Sequence, residues 1–417
     1  MRDTAALWVE RRRELGFPLL HPAAEPTPAE PVVAAPAGDQ PQTFALEIGL
    51  EELPPHVVAP TVEQVRAGLV EGLAGSRLGH GEVRVDATPR RVVAVVEQVA
   101  AREPDATTWR KGPKWAAAFD ADGQPTRPLQ GFLRGQAVSL EQIVKSEIGG
   151  VDYACVAVET PGRAALEVLG GVVEKIVGGL RAEKNMRWRD PGLAFSRAVR
   201  WLVALWGSQV VPARVSQLEA GRRTYLQRTT AASAESRVRA DGTPVGFQEV
   251  ATADDLPGLL ARGGIRLSFA ERRADVVRQA QRLAGEAGGT IDLDAHAGLI
   301  DEITDLVEQP VGVLGRFDER YLELPDQILV SVMARHQRYL PVRDTDQRLL
   351  PGFVTMANGS CDQALVARGN ESVLRARYED ALFFWNQDLQ AGSVEDFIPG
   401  LEQLTFENRL GSVGQRA

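Results

Sequence analysis

The stretch FALEIGLEELPPHVVAPTVEQVRAGLVEGL, residues 44–73, combines two hydrophobic periods. Its start alternates apolar residues with others, which predicts a half-buried β-strand; the apolar positions are Phe44, Leu46 and Ile48. After Pro55 the apolar residues recur every three or four positions, which predicts a helix; they are Val58, Val62, Val65, Leu69 and Leu73. Valine-rich runs at residues 83–85 and 92–96 predict two more strands. The order β-α-β-β indicates a small α+β unit.

Further along the chain the periodicity predicts a mixed α/β module followed by helices. Strands are predicted at residues 151–158, 195–206, 311–314 and 353–356, and helices at residues 166–180, 269–287, 293–307, 325–336 and 372–389. The segment from Lys111 to Ser139 lacks a sustained period and is predicted to be rich in loops. The sequence therefore predicts a multi-domain α+β protein, with mixed or antiparallel sheets and helices on one face of each.

The N-terminal part of the chain has a different composition. Residues 1–20 favour a helix, which Gly16 and Pro18 are predicted to end. Residues 21–43 contain six prolines and many alanines. Such a composition cannot bury a core, so this stretch is predicted to be an extended, semi-rigid linker.

Composition and charge narrow the class of protein. The chain has 417 residues, enough for two or three domains, with 44% hydrophobic and 25% charged residues. The net charge of −9 argues against a general binder of nucleic acid. The N-terminus has no apolar signal core, and no apolar run is long enough to span a bilayer, so we expect a cytoplasmic protein without a membrane partner. Cys155 and Cys361 are isolated, and no metal site is predicted.

Two stretches near the C-terminus carry several uncommon residue types in one order. They read LELPDQILVSVMARHQRYLPV, residues 322–342, and VARGNESVLRARYEDALFF, residues 366–384, with Asn358-Gly359 between them. The blocks MARHQRY, GNE and LRAR resemble the β-subunit of the bacterial two-subunit type of glycyl-tRNA synthetase. The resemblance begins at Phe44 and extends to Gly411.

The resemblance implies a function in protein biosynthesis. In that family an aminoacyl-tRNA synthetase attaches glycine to its tRNA in an ATP-dependent ligase reaction. It implies that the α-subunit binds ATP and Mg and carries out catalysis, so that this chain binds no cofactor itself. The β-subunit region would bind glycine-specific tRNA and the α-subunit, in an α2β2 assembly or a dimer of fused chains.

The resemblance also suggests domain boundaries. Residues 1–20 resemble the last helix of an α-subunit, which suggests an internal piece of a fused α–β chain. We expect a linker over residues 21–43, an N-terminal α+β domain over 44–215 and a second α/β domain of tRNA-binding type over 216–360. Residues 361–417 are expected to form a helical segment that leads to a histidine–aspartate domain absent from this sequence.

No enzyme motif accompanies the resemblance. The sequence contains no phosphate-binding loop, nucleophile elbow or zinc-protease motif, so no catalytic residue is predicted. A non-catalytic RNA-binding or assembly module is the alternative function. Hydrolysis of mischarged tRNA is a weaker alternative, because glycine is the smallest amino acid and larger ones can be excluded by size.

Four basic blocks are candidates for tRNA contact. They are the pair Arg90 and Arg91 between two predicted strands, Lys111 and Lys114 among tryptophans, Arg187 with Arg197 and Arg200, and finally Arg335, Gln337, Arg338, Arg375 and Arg377. Guanidinium groups suit phosphate oxygens, and aromatic rings beside cations suit unpaired bases.

Each block also has a structural alternative. The first could be a solvated hairpin tip that presents its arginines to water, and the tryptophans of the second could pack down a Gly-Pro turn. Arg375 and Arg377 could pair with neighbouring acids, namely Glu371, Glu379 or Asp380.

Overall fold

The computed structural model describes residues 2–14, 40–120, 122–188, 192–227, 247–390 and 392–416. The chain divides into two compact units, Met1–Gly38 and Asp39–Ala417. In the first unit the described element is helix α1, Arg2–Glu14. The predicted linker lies almost entirely outside the described residues. All elements below belong to the second unit.

The helices of the second unit are α2 (Pro55–Ala74), α3 (Trp115–Ala118), α4 (Arg127–Gln136), α5 (Ala165–Gly179), α6 (Asp255–Arg262), α7 (Phe269–Glu286), α8 (Ala297–Thr304), α9 (Asp326–Ser331), α10 (Gln363–Gln390) and α11 (Ile398–Leu401). Short 3₁₀ helices lie at Leu140–Gln142, Glu319–Glu323 and Val394–Phe397, and a π-helical turn at Val332–Gln337.

The strands are β1 (Gln42–Leu50), β2 (Val83–Thr88), β3 (Arg91–Val99), β4 (Ala106–Lys114), β5 (Ile143–Ile148), β6 (Val151–Thr160), β7 (Met186–Arg187), β8 (Ala194–Phe195), β9 (Val199–Trp206), β10 (Gln209–Val210), β11 (Arg214–Val215), β12 (Leu218–Gly221), β13 (Arg223–Tyr225), β14 (Phe247–Glu249), β15 (Pro310–Arg316), β16 (Leu340–Arg343), β17 (Leu349–Asn358), β18 (Thr405–Glu407) and β19 (Gly411–Ser412).

A seven-stranded sheet, ordered β11-β12-β9-β1-β3-β2 with β10 paired to β9, forms the centre of the N-terminal region. Helices α2 and α5 cover one face of this sheet, and α6 covers the other. Both faces of β1 are therefore buried: Phe44 points to the first core and Ala45 to the second. The prediction of a half-buried strand at this position is wrong, as is the prediction that helices cover one face alone, because β1 lies at the middle of a sheet covered on both sides.

The predicted helical stripes are confirmed. Val58, Val65, Leu69 and Leu73 of α2 are buried against the sheet. The stripe of α5 lies in the same core. The two helices approach closely where α2 has glycines: a Cβ built on Gly72 would lie 2.8 Å from Cγ2 of Val172.

Residues 106–160 form a small module inserted between β3 and α5. Its three-stranded antiparallel sheet is ordered β4-β6-β5, and α3 and α4 cover one face. The prediction of a loop-rich segment from Lys111 to Ser139 is wrong, because β4, α3 and α4 occupy most of it. Each of these elements is too short to show a sustained hydrophobic period.

A second antiparallel sheet, ordered β15-β17-β16, organises the C-terminal half. Helices α7 and α8 pack on one face, and α9, the π-helical turn and α10 pack on the other. Strands β15 and β17 and helices α7 and α10 were predicted at these places, whereas β16 was not. Helix α10 begins nine residues earlier than expected, at Gln363. No helix among the described ranges has the length and apolar character that crossing a bilayer requires.

Candidate nucleic-acid interface

The first basic block lies at the hairpin between β2 and β3, where the turn was predicted, but its arginines are buried. Arg91 is 0% exposed and Arg90 is 4% exposed. Arg91 donates from Nη1 to Oε1 of Glu47 at 2.7 Å and from Nε to Oε1 of Glu308 at 2.8 Å. Thr88 donates to the same Glu308 oxygen at 2.8 Å. The hairpin thus connects the central sheet to the loop that precedes β15.

The electrostatics of this cluster follow from its burial. Burial raises the pKa of Glu47, against the opposing charge of Arg91. Burial also opposes ionisation of Glu308, but Arg91 and Arg90 outweigh it and lower the pKa of that carboxyl. The pKa of Arg91 is raised because Glu308 and Glu47 outweigh its desolvation. Arg91 is therefore a charged bridge between two buried carboxylates.

The prediction that this turn presents two guanidinium groups to phosphates is wrong. Both arginines face inward, and the alternative of a solvated hairpin tip is wrong as well, because Pro89 and Arg90 are also buried. The physical reason is Glu308, which lies 217 positions along the chain from Arg91. A buried arginine of this kind requires a carboxylate partner, and sequence spacing did not reveal it.

The second block lies on the edge strand β4 and is exposed. Lys111 places its ammonium 3.6 Å from the ring centroid of Tyr153 on β6, and Trp109 is 58% exposed. Lys114 is exposed at the end of the strand. Trp115 behaves differently from Trp109, because it packs against Phe119 with ring centroids 5.0 Å apart. The alternative of tryptophans that pack a turn thus applies to Trp115 and does not apply to Trp109.

The third block surrounds β7, β8 and β9. Arg187 is exposed on β7, next to Trp188, whose Nε1 donates to the carbonyl of Phe195 at 3.1 Å. Arg197 is half-buried and donates to the carbonyl of Ser196 at 3.0 Å. Arg200 is exposed, with Nε 3.4 Å from Oε1 of Glu51. An exposed pair of this kind exchanges readily with an external anion, since it contributes little to stability.

The fourth block begins in the π-helical turn. Arg335 is exposed, and Gln337 is half-buried. Arg338 follows the turn in a left-handed conformation, with φ 56°. Its Nε donates to Oε1 of Glu302 at 3.0 Å, and its Nη1 donates to the carbonyls of Arg335 and His336. Arg338 therefore closes the end of the turn, while Arg335 projects from it.

Helix α10 carries the rest of the fourth block. Its residues Leu374 and Tyr378 pack into the core that contains Met333 of the π-helical turn, whereas Arg375 and Arg377 are exposed. Within the described ranges neither arginine forms a salt bridge. Of their expected partners, Glu379 bonds instead to Arg320 and Tyr321, and Glu371 accepts from the backbone N–H of Arg316. The alternative of an internal ion network for these two arginines is wrong.

Two features of the site were missed from the sequence. Tyr153 pairs with Lys111 across the sheet; the alternation of the predicted strand 151–158 was the signal that could have placed Tyr153 and Cys155 on one face. Asn358 of the Asn-Gly block accepts from the backbone N–H groups of Glu308 and Gln309, at 2.9 and 3.2 Å. That block therefore shapes the loop that holds the buried Glu308.

Comparison with known proteins gives consistent results. Residues 44–417 match the family model described as glycyl-tRNA synthetase beta subunit. The chain is 35% identical over 374 residues to a glycine–tRNA ligase beta subunit of Desulforamulus reducens, covering 89% of this chain and 52% of the relative. It is 34% identical over 418 residues to the chloroplastic/mitochondrial glycine–tRNA ligase 2 of Arabidopsis thaliana, covering 99% of this chain and 38% of the plant protein.

The chain thus spans about half the length of the bacterial relatives that it matches, and less of the plant relative. The family match covers everything from Phe44 in β1 to the end of the described structure. It includes the central sheet, the inserted module and the second sheet with α10. This chain belongs to the glycyl-tRNA synthetase beta subunit family.

Proposed function

We propose that this chain is the tRNA-binding β-portion of a glycine–tRNA ligase and assists the ATP-dependent attachment of glycine to its tRNA. The observation that carries the proposal is the family match over residues 44–417. Catalysis, with ATP and Mg, would lie in an α-portion outside this chain. The α-portion and glycine-specific tRNA would be its two partners, in an α2β2 assembly or a dimer of fused chains.

The exposed cations support contact with a polyanion. Lys111 and Lys114 lie on the inserted module, and Arg335, Arg375 and Arg377 lie on the module built from β15–β17 and α10. These side chains are solvent-exposed in a protein whose net charge is −9, so attraction to RNA would be local and would not involve the whole surface. Arg90 and Arg91 do not belong to this proposed surface.

The N-terminal residues support a fused α–β arrangement. The match to the plant ligase covers 99% of this chain, whereas the matches to bacterial beta subunits cover 89–90%. The additional coverage includes the region that resembles the end of an α-subunit. Reading the genomic frame upstream of Met1 tests this part: a class II catalytic module in the same frame supports fusion, and an intergenic stop codon excludes it.

A filter-binding titration tests the main proposal. The chain is titrated with glycine-specific tRNA and with a non-cognate tRNA over a series of salt concentrations. We expect binding that weakens with salt, and a reduction of the salt slope by about 2 in a variant with Arg375→Ala and Arg377→Ala, because each lost phosphate contact removes about 0.9 from the slope. Arg84→Ala, an exposed arginine paired with Glu97, is the matched control. Absence of tRNA binding by the unmodified chain contradicts the proposal and favours an assembly role.

A further inference from the structure

The inserted module has an open sheet face in addition to its basic edge strand. Its opposite face is covered, because Ala154 of β6 and Ile143 of β5 pack with Phe132 of α4. A Cβ on Gly112 would lie 2.8 Å from the ring of that same phenylalanine. The side chains that alternate with these residues along β4, β5 and β6 therefore point away from the helices.

This open face is apolar and aromatic, with a cation at its edge. We call it the β4–β6 face; its larger side chains are Trp109, Lys111, Val144, Ile148, Val151 and Tyr153, and the buried Cys155 lies at its centre. Four of them are exposed large hydrophobic side chains, at 58% for Trp109, 49% for Val144, 44% for Ile148 and 37% for Val151. Exposed apolar residues grouped on one sheet face mark a binding surface.

The charges around this face favour nucleic acid as its occupant. Lys111 and Lys114 lie on this face by their register, opposite Cys155 and Tyr153, and both are exposed. Arg110 is exposed on the same edge strand but faces the helices, and on the β4–β6 face the acidic Glu159 lies opposite Thr107, at the other end of β4 from Lys114. The module carries six basic and six acidic residues, whereas the whole chain has a net charge of −9. On β4 itself the charged residues are all basic. A cationic edge beside exposed aromatic rings matches a sugar–phosphate backbone with unpaired bases.

We propose that the β4–β6 face binds unpaired nucleotides of RNA, with one base stacked on Trp109 and Lys111 beside a phosphate. This inference rests on the proposed function and specifies which part of the RNA this module would recognise. Trp109 offers an exposed indole ring, and the ammonium of Lys111 is held against Tyr153 at a fixed place beside it. A duplex has its bases stacked on one another and cannot offer a base to Trp109, so the face selects single strands.

The test is a fluorescence-anisotropy titration of the whole chain with a labelled single-stranded RNA of mixed sequence and with a blunt RNA duplex. We expect the single strand to bind more tightly than the duplex. Trp109→Ala should lose about tenfold in affinity for the single strand, the order of magnitude that base–aromatic stacking provides, and Trp109→Phe should recover part of the loss. The salt slope should stay unchanged in Trp109→Ala.

Lys111→Ala, unlike Trp109→Ala, should change the salt dependence of binding. We expect a salt slope lower by about 0.7 for the single strand, since one phosphate contact is removed. Two controls match the variants in exposure: Val70→Ala, which is 51% exposed on α2, and Arg84→Ala on β2. Both should bind as the unmodified chain does.

A second RNA distinguishes two sources of the unpaired nucleotides, the 3′ end and a loop of the tRNA. Glycine-specific tRNA is compared with the same tRNA lacking its unpaired 3′ nucleotides. If the 3′ end is the source, the truncation should weaken binding to the unmodified chain and have no effect on Trp109→Ala. If a loop is the source, Trp109→Ala should weaken the binding of both tRNAs by the same factor.

Three results overturn the inference. If Trp109→Ala binds single-stranded RNA as well as the unmodified chain does, while that chain still binds tRNA, the inference is wrong and the proposed function stands. If Trp109→Ala instead changes the sedimentation behaviour of the chain without affecting RNA, the face is a protein contact. If the unmodified chain binds neither tRNA nor single strands, the proposed function fails together with the inference.

Discussion

Arg91, which was predicted to contact RNA, shows how burial changes the role of a basic residue. Arg91 bonds to Glu47 and Glu308 and is fully buried, whereas Lys111, in an equally short basic block, is exposed. A buried arginine between two carboxylates stabilises the chain only while all three charges are present. Arg91 therefore belongs to the folded core, and its substitution should act on stability.

We expect Arg91→Met to lower the free energy of unfolding by about 3–5 kcal/mol, because it leaves Glu47 without its arginine partner and Glu308 with the more distant Arg90. Urea unfolding measures this loss. Arg84→Met, which removes an exposed pair with Glu97, is the control and should cost about 1 kcal/mol or less. Adding Glu308→Gln to Arg91→Met should recover part of the loss. Weakened RNA binding by Arg91→Met at unchanged stability would show that the arginine acts on the ligand.

A second buried pair predicts a pH dependence. Arg272 is 0% exposed and donates to Asp305 at 3.3 Å as well as to the carbonyls of Arg266, Leu267 and Thr304. Burial raises the pKa of Asp305 to about 6, against the charge of Arg272. The folded state therefore binds this proton more tightly than the unfolded state, whose pKa is 3.8. The resulting stabilisation is complete below pH 3.8 and is lost as the pH rises through 6.

We expect Asp305→Asn to remove this titration. The unfolding free energy of Asp305→Asn relative to that of the unmodified chain should rise by about 2.4 kcal/mol from pH 3.8 to pH 6.5, since each unit of pKa shift corresponds to about 1.4 kcal/mol and part of the change lies below pH 3.8. Chemical denaturation at a series of pH values measures the difference. A constant difference over that range would mean that Asp305 has a similar pKa in the folded and unfolded chains.

At the scale of elements, the crossing of α2 and α5 depends on glycine. Gly72 has no room for a Cβ, which would lie 2.8 Å from Val172, whereas Gly171 on α5 has open space around it. Alanine is favoured over glycine within a helix by about 0.5–1 kcal/mol. The same substitution should therefore have opposite effects at the two positions.

We expect Gly72→Ala to destabilise the chain by about 1–2 kcal/mol and Gly171→Ala to stabilise it by about 0.5–1 kcal/mol. In a Val172→Ala background, which removes the contacted methyl groups, Gly72→Ala should become stabilising. A double-mutant cycle followed by urea unfolding measures this reversal. If Gly72→Ala is equally harmful in both backgrounds, the contact with Val172 does not set the distance between the helices.

The elements that the sequence predicted well share one property, a hydrophobic period that extends over several turns or a whole strand. Helices α2 and α5 are of this kind, and their predicted stripes are buried in the structure. Helix α7 was predicted from its period, with an end within one residue of the observed one. Helices α3 and α4, with 4 and 10 residues, are too short for this signal. The burial of both faces of β1 was not predictable either, because the second face is covered by α6, which begins about 200 residues further along the chain.

The same distinction applies to the candidate site. Sequence reasoning identified the cations that remain exposed, such as Lys111 and Arg335, because basic residues beside aromatic or helix-terminal residues form a local pattern. It could not separate them from Arg91, whose partner Glu308 is distant in sequence. Whether a basic block is a site or a core contact is decided by tertiary contacts, which no local pattern contains.

At the scale of the whole second unit, the described residues build two sheets of seven and three strands and insert a third, of three strands, besides three two-stranded sheets. The buried bridge from Glu47 through Arg91 to Glu308 joins the central sheet to the loop that leads into β15. The inserted module is attached differently, through a neck where Glu103 and Arg163 meet. The backbone N–H of Glu103 donates to the carbonyl of Arg163 at 2.9 Å, and Nη2 of Arg163 donates to Oε1 of Glu103 at 2.9 Å.

In the neck, Arg77 and Arg163 both bond to the carboxylate of Glu103 and hold the chain ends together. The hydrogen bond from Arg163 lowers the pKa of Glu103 to about 2, so the carboxylate stays charged over the whole working range of pH. Arg77, next to the end of α2, donates to the same carboxylate from its backbone and its side chain. Gly162 packs so closely that a Cβ would lie 1.7 Å from the carbonyl oxygen of Glu103. The two ends of the module are therefore held together by residues outside it.

This geometry predicts that the module can be removed. Replacing residues 105–161 by a short glycine–serine linker should leave the central sheet folded, with an unfolding free energy within about 2 kcal/mol of the unmodified chain, because Glu103 and Arg163 already hold the loop ends together. Circular dichroism and urea unfolding measure the fold, and Gly162→Val is the control that should destabilise the neck.

The shortened chain should lose its preference for single-stranded over duplex RNA while Arg335, Arg375 and Arg377 still contribute to the salt slope with tRNA. Loss of the fold upon excision would show that the module is an integral part of the central core, and a retained single-strand preference would place the recognition of unpaired nucleotides elsewhere in the chain.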